Sequence, residues 1–209
     1  MSLQDLEHRG YQPGGGFISN SGLFYLNIPK NASTFLSNVL QENGWEHYNL
    51  NDTQRAITEY VVVLRDPIDR WISGFATYAS SWLLGAGYGS DHFVQDYNEL
   101  TERVIFDTLV FDDHTTPQAK YVSQLSAKPV TYFKLTDRLT KQLSRFTGSD
   151  LVVNDVDGNV SENNYDQRQI SKLIRQRIDN DPALKAKIIE RYKCDFNLIS
   201  SVQFYYDPR

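Results

Sequence analysis

The sequence is poor in the residues that mark several common protein classes. Among 209 residues there is one cysteine, Cys194. A single cysteine excludes an intramolecular disulfide framework and a cysteine-cluster metal site. The chain has 21 lysines and arginines against 26 aspartates and glutamates, which gives a net charge of −5. It therefore lacks the basic surplus that a general nucleic-acid-binding surface requires.

Long apolar runs and metal-ligand patterns are also missing. No apolar stretch approaches the length of a membrane span, and the N-terminus lacks the basic start and apolar segment of a signal peptide. The four histidines, at positions 8, 47, 92 and 114, form no HxxxH or HExxH pair. We therefore expect a soluble, cytoplasmic protein with no metal site and no nucleic-acid or membrane partner. The oligomeric state stays open.

The apolar content is sufficient for a folded core. Hydrophobic residues make up 40% of the chain, including 13 tyrosines and 11 phenylalanines with large side chains, so a wholly disordered chain is excluded. The first 22 residues are polar and include a run of three glycines at positions 14–16. We expect a flexible arm over residues 1–22 and one domain over residues 23–209.

Apolar runs typical of strands alternate with amphipathic segments typical of helices. We predict strands at residues 23–28, 60–64 and 130–133. We predict helices at residues 33–41, 67–82, 98–111, 117–125 and 136–148, and two more near the end of the chain that carry Ile170 to Ile178 and Pro182 to Tyr192. This alternation predicts an α/β fold, a three-layer sandwich with a mainly parallel sheet. Ligands of such sheets bind beyond the carboxyl ends of the strands.

The first strand-to-helix junction reads IPKNASTFL, at residues 28–36. A lysine and two hydroxyl residues stand between a buried strand and a helix N-terminus, which is the environment of a phosphate site. The glycines of the GxxxxGK[ST] pattern are absent, so hydrolysis of ATP or GTP is disfavoured. The residues alone also allow an ordinary helix start, with Ser33 or Thr34 as the cap and Lys30 in solvent.

The second junction reads VVVLRDPIDRWISGF, at residues 61–75. Asp66 is a suitable helix cap, and Pro67 suits the first helical position. Arg65 ends the strand, where a guanidinium can bind a phosphate through two parallel hydrogen bonds. A purely local arrangement, with Arg70 paired to Asp66, explains the same residues.

Together the two junctions resemble the motifs of the sulfotransferases that use PAPS, 3′-phosphoadenosine 5′-phosphosulfate. The spelling PKxASTxxxxxL is closer to the carbohydrate branch, which includes the heparan 2-O, chondroitin and HNK-1-like enzymes, than to the enzymes of phenols and steroids. The segments DDHTTPQAKYV, at residues 112–122, and YKCDFNLI, at residues 192–199, are similar to two further elements of that branch.

The resemblance implies a P-loop-like, phosphosulfate-binding loop and a role for each matching residue. The residues implied to bind the 5′-phosphosulfate are Lys30, Asn31, Ala32, Ser33 and Thr34. Arg65 and Ser73 are implied to bind the 3′-phosphate. PAPS would be the co-substrate and PAP the product, and the acceptor would be a small molecule or a glycan.

Transfer to a hydroxyl group needs a general base, and several residues are candidates. His47 lies between the two phosphate motifs, as a catalytic histidine does in heparan 2-O-type enzymes, and we expect the chain to return it to the carboxyl edge of the sheet. His114 has two neighbouring carboxylates that can orient it. Glu42, Glu46 and His92 are further candidates.

These features lead us to expect a PAPS-dependent O-sulfotransferase that acts on a carbohydrate. Lys30 is the group expected to stabilise the leaving phosphate oxygen, and no metal is required. Two other functions stay open. One is a kinase-like protein that binds ATP, and the other is a nucleotide- or glycan-binding module that has lost turnover.

Overall fold

The chain divides into two compact units. The structure, a computed structural model, describes residues 14–52, 56–80, 109–110, 112–153 and 165–206. Of these, residues 14–65, 118–153 and 197–206 belong to a sheet unit, and residues 66–117 and 165–196 belong to a helical unit. The prediction of one domain over residues 23–209 stays a prediction. The helix predicted at residues 98–111 and the base candidate His92 lie outside the described residues, apart from Leu109 and Val110.

The sheet unit is built on five strands in the order β3-β1-β2-β4-β5. The strands are β1 (Gly15–Ile18), β2 (Leu23–Leu26), β3 (Glu46–Asn49), β4 (Glu59–Leu64) and β5 (Val130–Lys134). Strand β1 pairs antiparallel with both β2 and β3, whereas β2–β4 and β4–β5 are parallel. The sheet is therefore mixed, and its parallel part consists of the three strands that the sequence predicts.

Strand β1 lies within the segment that the sequence marks as a flexible arm. Its residues pair on both sides, with Gly16 opposite Leu26 in β2 and opposite Tyr48 in β3. A Cβ atom on Gly16 would stand 2.0 Å from the carbonyl oxygen of Tyr25. This glycine is thus present because no side chain fits, and residues 15–18 are part of the sheet rather than of an arm.

The core of the sheet unit lies between the sheet and two helices. Helix α1 (Ser33–Glu42), close to the predicted bounds, buries its apolar stripe there, and α4 (Leu139–Thr147) adds two leucines. A short helix, α3 (Gln118–Val122), precedes β5. The core residues are Phe17, Tyr25, Leu36, Val39, Leu40, Trp45, Val61, Val63, Phe133, Leu139, Leu143 and Leu151. Each large apolar side chain buried here contributes roughly 1.5–3 kcal/mol.

The helical unit contains α2 (Pro67–Tyr78), α5 (Tyr165–Asn180) and α6 (Pro182–Arg191). Helix α7 (Lys193–Ser201) begins in this unit and ends in the other. The start of α2 is as predicted, because the Asp66 carboxylate accepts hydrogen bonds from the N–H groups of Ile68 and Asp69, both at 3.0 Å, and Pro67 occupies the first turn. None of the described helices is long and apolar enough to cross a membrane.

Candidate functional site

The loop between β2 and α1 has an unusual backbone. Lys30 and Ala32 have φ angles of 69° and 60°, in the left-handed region that residues with a Cβ atom seldom adopt. Each such residue costs on the order of 1 kcal/mol or more and persists only where its surroundings fix it. Turns of this kind form concavities lined by backbone N–H groups, which bind anions.

Helix α1 begins directly after this loop without a side-chain cap. Ala32 occupies the N-cap position, and Ser33 and Thr34 lie inside the first turn. Within the described residues, no cap side chain bonds to this terminus, and its first turn holds no acidic residue. The alternative in which Ser33 or Thr34 caps the helix is therefore not what the structure describes. An N-terminus of this kind, with the positive end of the helix dipole, suits an anion.

Arg65 reaches the same loop from the neighbouring strand. Strands β2 and β4 run parallel and side by side, so their carboxyl ends lie at the same edge of the sheet. Arg65 follows β4 immediately, and its Nη1 atom donates a hydrogen bond to the carbonyl oxygen of Lys30, at 3.1 Å. The structure thus brings together Lys30 and Arg65, two of the residues that the sequence predicts to bind phosphate groups.

Two buried amide side chains join the loop to the end of β4. The Nδ2 atom of Asn31 donates hydrogen bonds to the Val63 carbonyl, at 2.8 Å, and to Oε1 of Gln118, at 2.9 Å. Gln118 in turn bonds to both backbone groups of Arg65. Asn31 is a predicted site residue, but no role for Gln118 comes from the sequence. The available signal is a polar residue directly after Pro117, in the segment that resembles a family element.

In the helical unit, His114 lies between two carboxylates. Its Nδ1 atom is 2.9 Å from Oδ2 of Asp112 and 3.0 Å from Oδ1 of Asp113. Burial alone lowers the pKa of His114, but the hydrogen bonds and charges of Asp112 and Asp113 outweigh it and raise the pKa to about 9. The His114 interactions also hold the pKa of Asp113 below its ordinary value, although burial opposes that change. At neutral pH the imidazole is therefore mainly protonated.

These three side chains also hold potential metal ligands. One atom from each of Asp112, Asp113 and His114 can be chosen so that all three lie within 4.8 Å of one another. The Nδ1 atom of His114, however, is already within hydrogen-bonding distance of both carboxylates. A metal ligand must instead offer a lone pair to the ion. The described contacts are those of an ion pair.

The segment that carries His114 is held by two side chains of α2 and by Tyr192, which directly follows α6. Arg70, fully buried, donates from Nη1 to the Thr116 carbonyl, at 2.6 Å. Trp71 donates from Nε1 to the Leu109 carbonyl, at 2.8 Å, and the Tyr192 hydroxyl bonds to the carbonyl oxygens of Leu109 and Thr115. The Arg70 guanidinium therefore serves this turn, while the Asp66 carboxylate caps α2, in place of the local pair that the sequence also allowed.

Ser73 lies on the same helix, α2, and belongs to the helical unit. Its carbonyl oxygen accepts a hydrogen bond from Oγ1 of Thr77, at 3.1 Å. The next residue, Gly74, lies against the carbonyl oxygen of His114, which a Cβ atom would approach to 2.3 Å. The role of Ser73 at a 3′-phosphate stays a prediction.

His47 is not at the carboxyl edge of the sheet, contrary to the sequence-based expectation. It lies on β3, an edge strand, opposite Phe17, which in turn is opposite Tyr25 in β2. Strand β1 lies between β3 and β2, and two strand spacings place His47 about 10 Å from β2. Its exposed ring packs edge-on against Phe17, with ring centroids 5.6 Å apart. It is therefore level with the middle of β2, and Lys30 comes after that strand has ended.

The two glutamate candidates for the general base also lie away from the Lys30 loop, one at the far end of α1 and one on β3. Glu42 is the last residue of α1, which places it about 13 Å along the helix axis from Ser33. Glu46 is the exposed first residue of β3.

A cavity of about 320 Å³ lies away from the Lys30 loop. Its lining residues precede β2 or lie near the start of that strand, namely Ile18, Ser19, Asn20, Ser21, Gly22 and Ala56. The loop after β2 remains the described site with the features of an anion-binding site.

No family model, no curated protein and no solved structure matches this chain. A function for the chain therefore has to be argued from its own residues.

Proposed function

We propose that this chain transfers a sulfuryl group from PAPS to a hydroxyl acceptor, with a carbohydrate as the acceptor class. One observation carries the proposal, namely the loop between β2 and α1. It combines two left-handed residues, an N-terminus without a side-chain cap and the Lys30–Arg65 contact. These features support the binding of phosphate groups. The sequence motifs in which Lys30 and Arg65 stand favour PAPS over other phosphates.

The proposed reaction is an in-line displacement at sulfur. The acceptor oxygen forms a bond to sulfur while the bond between sulfur and the bridging phosphate oxygen breaks, and PAP leaves. Negative charge grows on that phosphate oxygen. Lys30 and the N–H groups at the start of α1 are the proposed stabilising groups, because preorganised charges and donors act most strongly where charge develops.

The adenosine end of PAPS carries a 3′-phosphate, and the proposal assigns it to Arg65 and Ser73. A guanidinium binds a phosphate through parallel, charge-assisted hydrogen bonds. Arg65 is half-buried at the end of β4, and its bond to the Lys30 carbonyl fixes part of its side chain. The assignment of Ser73 rests on its position in the motif.

For the general base we favour His114 over His47, on the contacts of the His114 imidazole itself. The two carboxylates hold Nδ1 of His114, so Nε2 is the nitrogen that would accept a proton. A carboxylate orients a catalytic histidine in this way in many hydrolases. The raised pKa means that the neutral, basic form becomes abundant only toward pH 9. The edge-strand position of His47 is the argument against that residue.

A binding experiment tests the proposal. We expect the protein to bind PAP more tightly than AMP by roughly 10- to 150-fold, since a charged pair of this type contributes about 1.5–3 kcal/mol. Arg65→Ala should remove most of that difference, and Arg145→Ala, on exposed α4 surface of the same unit, should not. Isothermal titration with PAP, AMP and ATP measures these affinities.

The outcomes separate the functions that the sequence left open. Equal affinity for PAP and AMP would overturn the PAPS proposal. Preference for ATP over PAP would indicate the kinase-like alternative. Tight PAP binding without transfer of radiolabelled sulfate to a panel of glycans would indicate a module that has lost turnover.

A further inference from the structure

Gln118 is a buried polar residue whose side-chain amide hydrogen-bonds to Asn31 and to the backbone of Arg65. It is fully buried as the first residue of α3. Its Oε1 atom accepts hydrogen bonds from Asn31 Nδ2, at 2.9 Å, and from the N–H of Arg65, at 3.3 Å. Its Nε2 atom donates to the carbonyl oxygen of Arg65, at 2.8 Å. A buried amide is costly without such bonds, so these contacts define its position.

The backbone of Arg65 determines which way the Gln118 amide faces. The N–H of Arg65 donates to the oxygen of the Gln118 amide, and the carbonyl of Arg65 accepts from its nitrogen. If the amide were turned by 180°, both hydrogen bonds would be lost. The Gln118 oxygen then requires a donor from Asn31. Asn31 supplies that donor, because its Nδ2 atom donates hydrogen bonds both to Gln118 and to the Val63 carbonyl. The orientation of both amides therefore follows from the end of β4.

Asn31 lies between the two left-handed residues of the loop. Lys30 precedes it and Ala32 follows it, with φ angles of 69° and 60°. Its own Oδ1 atom is buried and has no hydrogen-bond partner within the described part of the chain. The two bonds from Nδ2 are thus what fixes this side chain, and one of them depends on Gln118.

We propose that Gln118 is a positioning residue for the nucleotide site, acting through Asn31 and Arg65. It holds the Lys30–Ala32 turn in its unfavourable conformation and at the same time fixes the strand end from which the Arg65 side chain extends. The nucleotide role rests on the proposed function. The effect on the loop does not, because it concerns contacts within the free protein.

The test uses Gln118→Met in the full chain, because methionine keeps the length and apolar volume of the side chain and removes the hydrogen bonds described above. Gln142→Met on α4 is the matched control. Two quantities are measured, namely amide hydrogen exchange in the free protein and PAP affinity by titration. We expect exchange over residues 30–36 to become about tenfold faster while exchange in α4 stays unchanged, and we expect PAP affinity to fall about tenfold.

A second variant, Gln118→Glu, guards against a loss of folding. It keeps an acceptor for Asn31 and for the Arg65 N–H, but it places a carboxylate oxygen against the Arg65 carbonyl. Its loop exchange should lie between that of the native protein and that of Gln118→Met. Partial recovery of this kind would not follow from a general loss of packing.

The two proposals fail in different ways. If exchange over residues 30–36 is unchanged in both variants, or rises equally in α4, the positioning role is overturned whatever the protein binds. If the native protein fails to bind PAP while the loop exchange responds as expected, the proposed function is wrong and the effect of Gln118 on the loop stands.

Discussion

The two units fix their irregular segments with different kinds of side chain. In the sheet unit, the loop after β2 is held by neutral amides, those of Asn31 and Gln118. In the helical unit, residues 109–110 and 112–116 are held by an arginine, a tryptophan and a tyrosine, and they include a histidine between two aspartates. The amides of the first arrangement do not ionise, whereas the second arrangement contains a histidine whose pKa is raised to about 9 by the two aspartates beside it.

The backbone explains the difference. Strands β2 and β4 satisfy their N–H and C=O groups in the sheet, so side chains are needed only where the strands end. The segment that includes Leu109, Thr115 and Thr116 pairs with no described strand. Its carbonyl oxygens accept from side chains of Trp71, Tyr192 and Arg70 instead. The helical unit therefore depends more on individual side-chain donors.

The largest expected effect is the loss of activity on replacing His114, which lies between Asp112 and Asp113. If His114 is the base, His114→Gln should reduce kcat/KM by about 10²–10⁴-fold. Below pH 9 the native kcat/KM should fall about tenfold per pH unit as the pKa of His114, raised to about 9, is passed. The variant should lose this acid limb. Rates of sulfate transfer between pH 6 and 10 measure it.

His47→Gln is the matched control for that experiment, because it makes the same change on the exposed edge strand. It should leave kcat/KM within a few-fold of the native value. The opposite pattern, with a large loss in His47→Gln and little in His114→Gln, would assign the base to His47. A titration of the His114 imidazole by NMR near its ordinary pKa of about 6.5 would remove the physical basis of the acid limb.

The next effect compares two buried tyrosines. Burial raises the pKa of both Tyr25 and Tyr192. The Tyr192 hydroxyl bonds to two carbonyl oxygens, whereas that of Tyr25 has no hydrogen-bond partner among the described residues. Tyr192→Phe should therefore cost about 1–3 kcal/mol of unfolding free energy, and Tyr25→Phe should be neutral or slightly stabilising.

Urea denaturation of both variants measures this difference, with the slope of the transition as a check that the unfolded state is unchanged. Equal losses in the two variants would mean that the hydroxyl of Tyr25 is bonded after all, or that Tyr192 contributes only its ring.

The smallest effect is a pH dependence of stability. The pKa of His114 is higher in the folded protein, about 9, than its ordinary value of about 6.5. Its contribution is therefore fully present below pH 6.5 and is lost as the pH rises through 9. We expect about 1 kcal/mol after solvent screening of this partly exposed side chain. Thermal unfolding from pH 6 to 9.5 measures it, and the loss should be absent in His114→Gln.

Local sequence signals predicted the elements that begin with a cap or consist of a continuous apolar run. The starts of α1 and α2, the Asp66 cap and the strand that ends at Leu64 are confirmed, whereas α2 ends at Tyr78 and not at residue 82 as predicted. Strand β1 was missed because its glycines indicate flexibility by composition. The reason for Gly16 is a carbonyl oxygen of β2, a neighbour that only the folded sheet supplies.

The candidate site shows the same limit. The sequence motifs predicted Lys30 and Arg65 as phosphate-binding residues, and the structure places these two residues in contact. The sequence could not predict the register of β3, which decides where His47 lies. Nor could it predict the partners of Gln118, which is separated from Arg65 by 53 positions. Both depend on contacts between distant parts of the chain.

Gly74 has a consequence for how this chain can diverge. Its missing side chain allows α2 to lie against the main chain of His114, where a Cβ atom would come within 2.3 Å of one backbone atom and 2.8 Å of another. Main-chain atoms cannot turn aside as a flexible side chain can, so any larger residue would displace the whole turn. A descendant sequence that retains the turn is expected to retain glycine here, while surface positions change freely. Gly74 would then help to recognise distant relatives whose overall similarity has been lost.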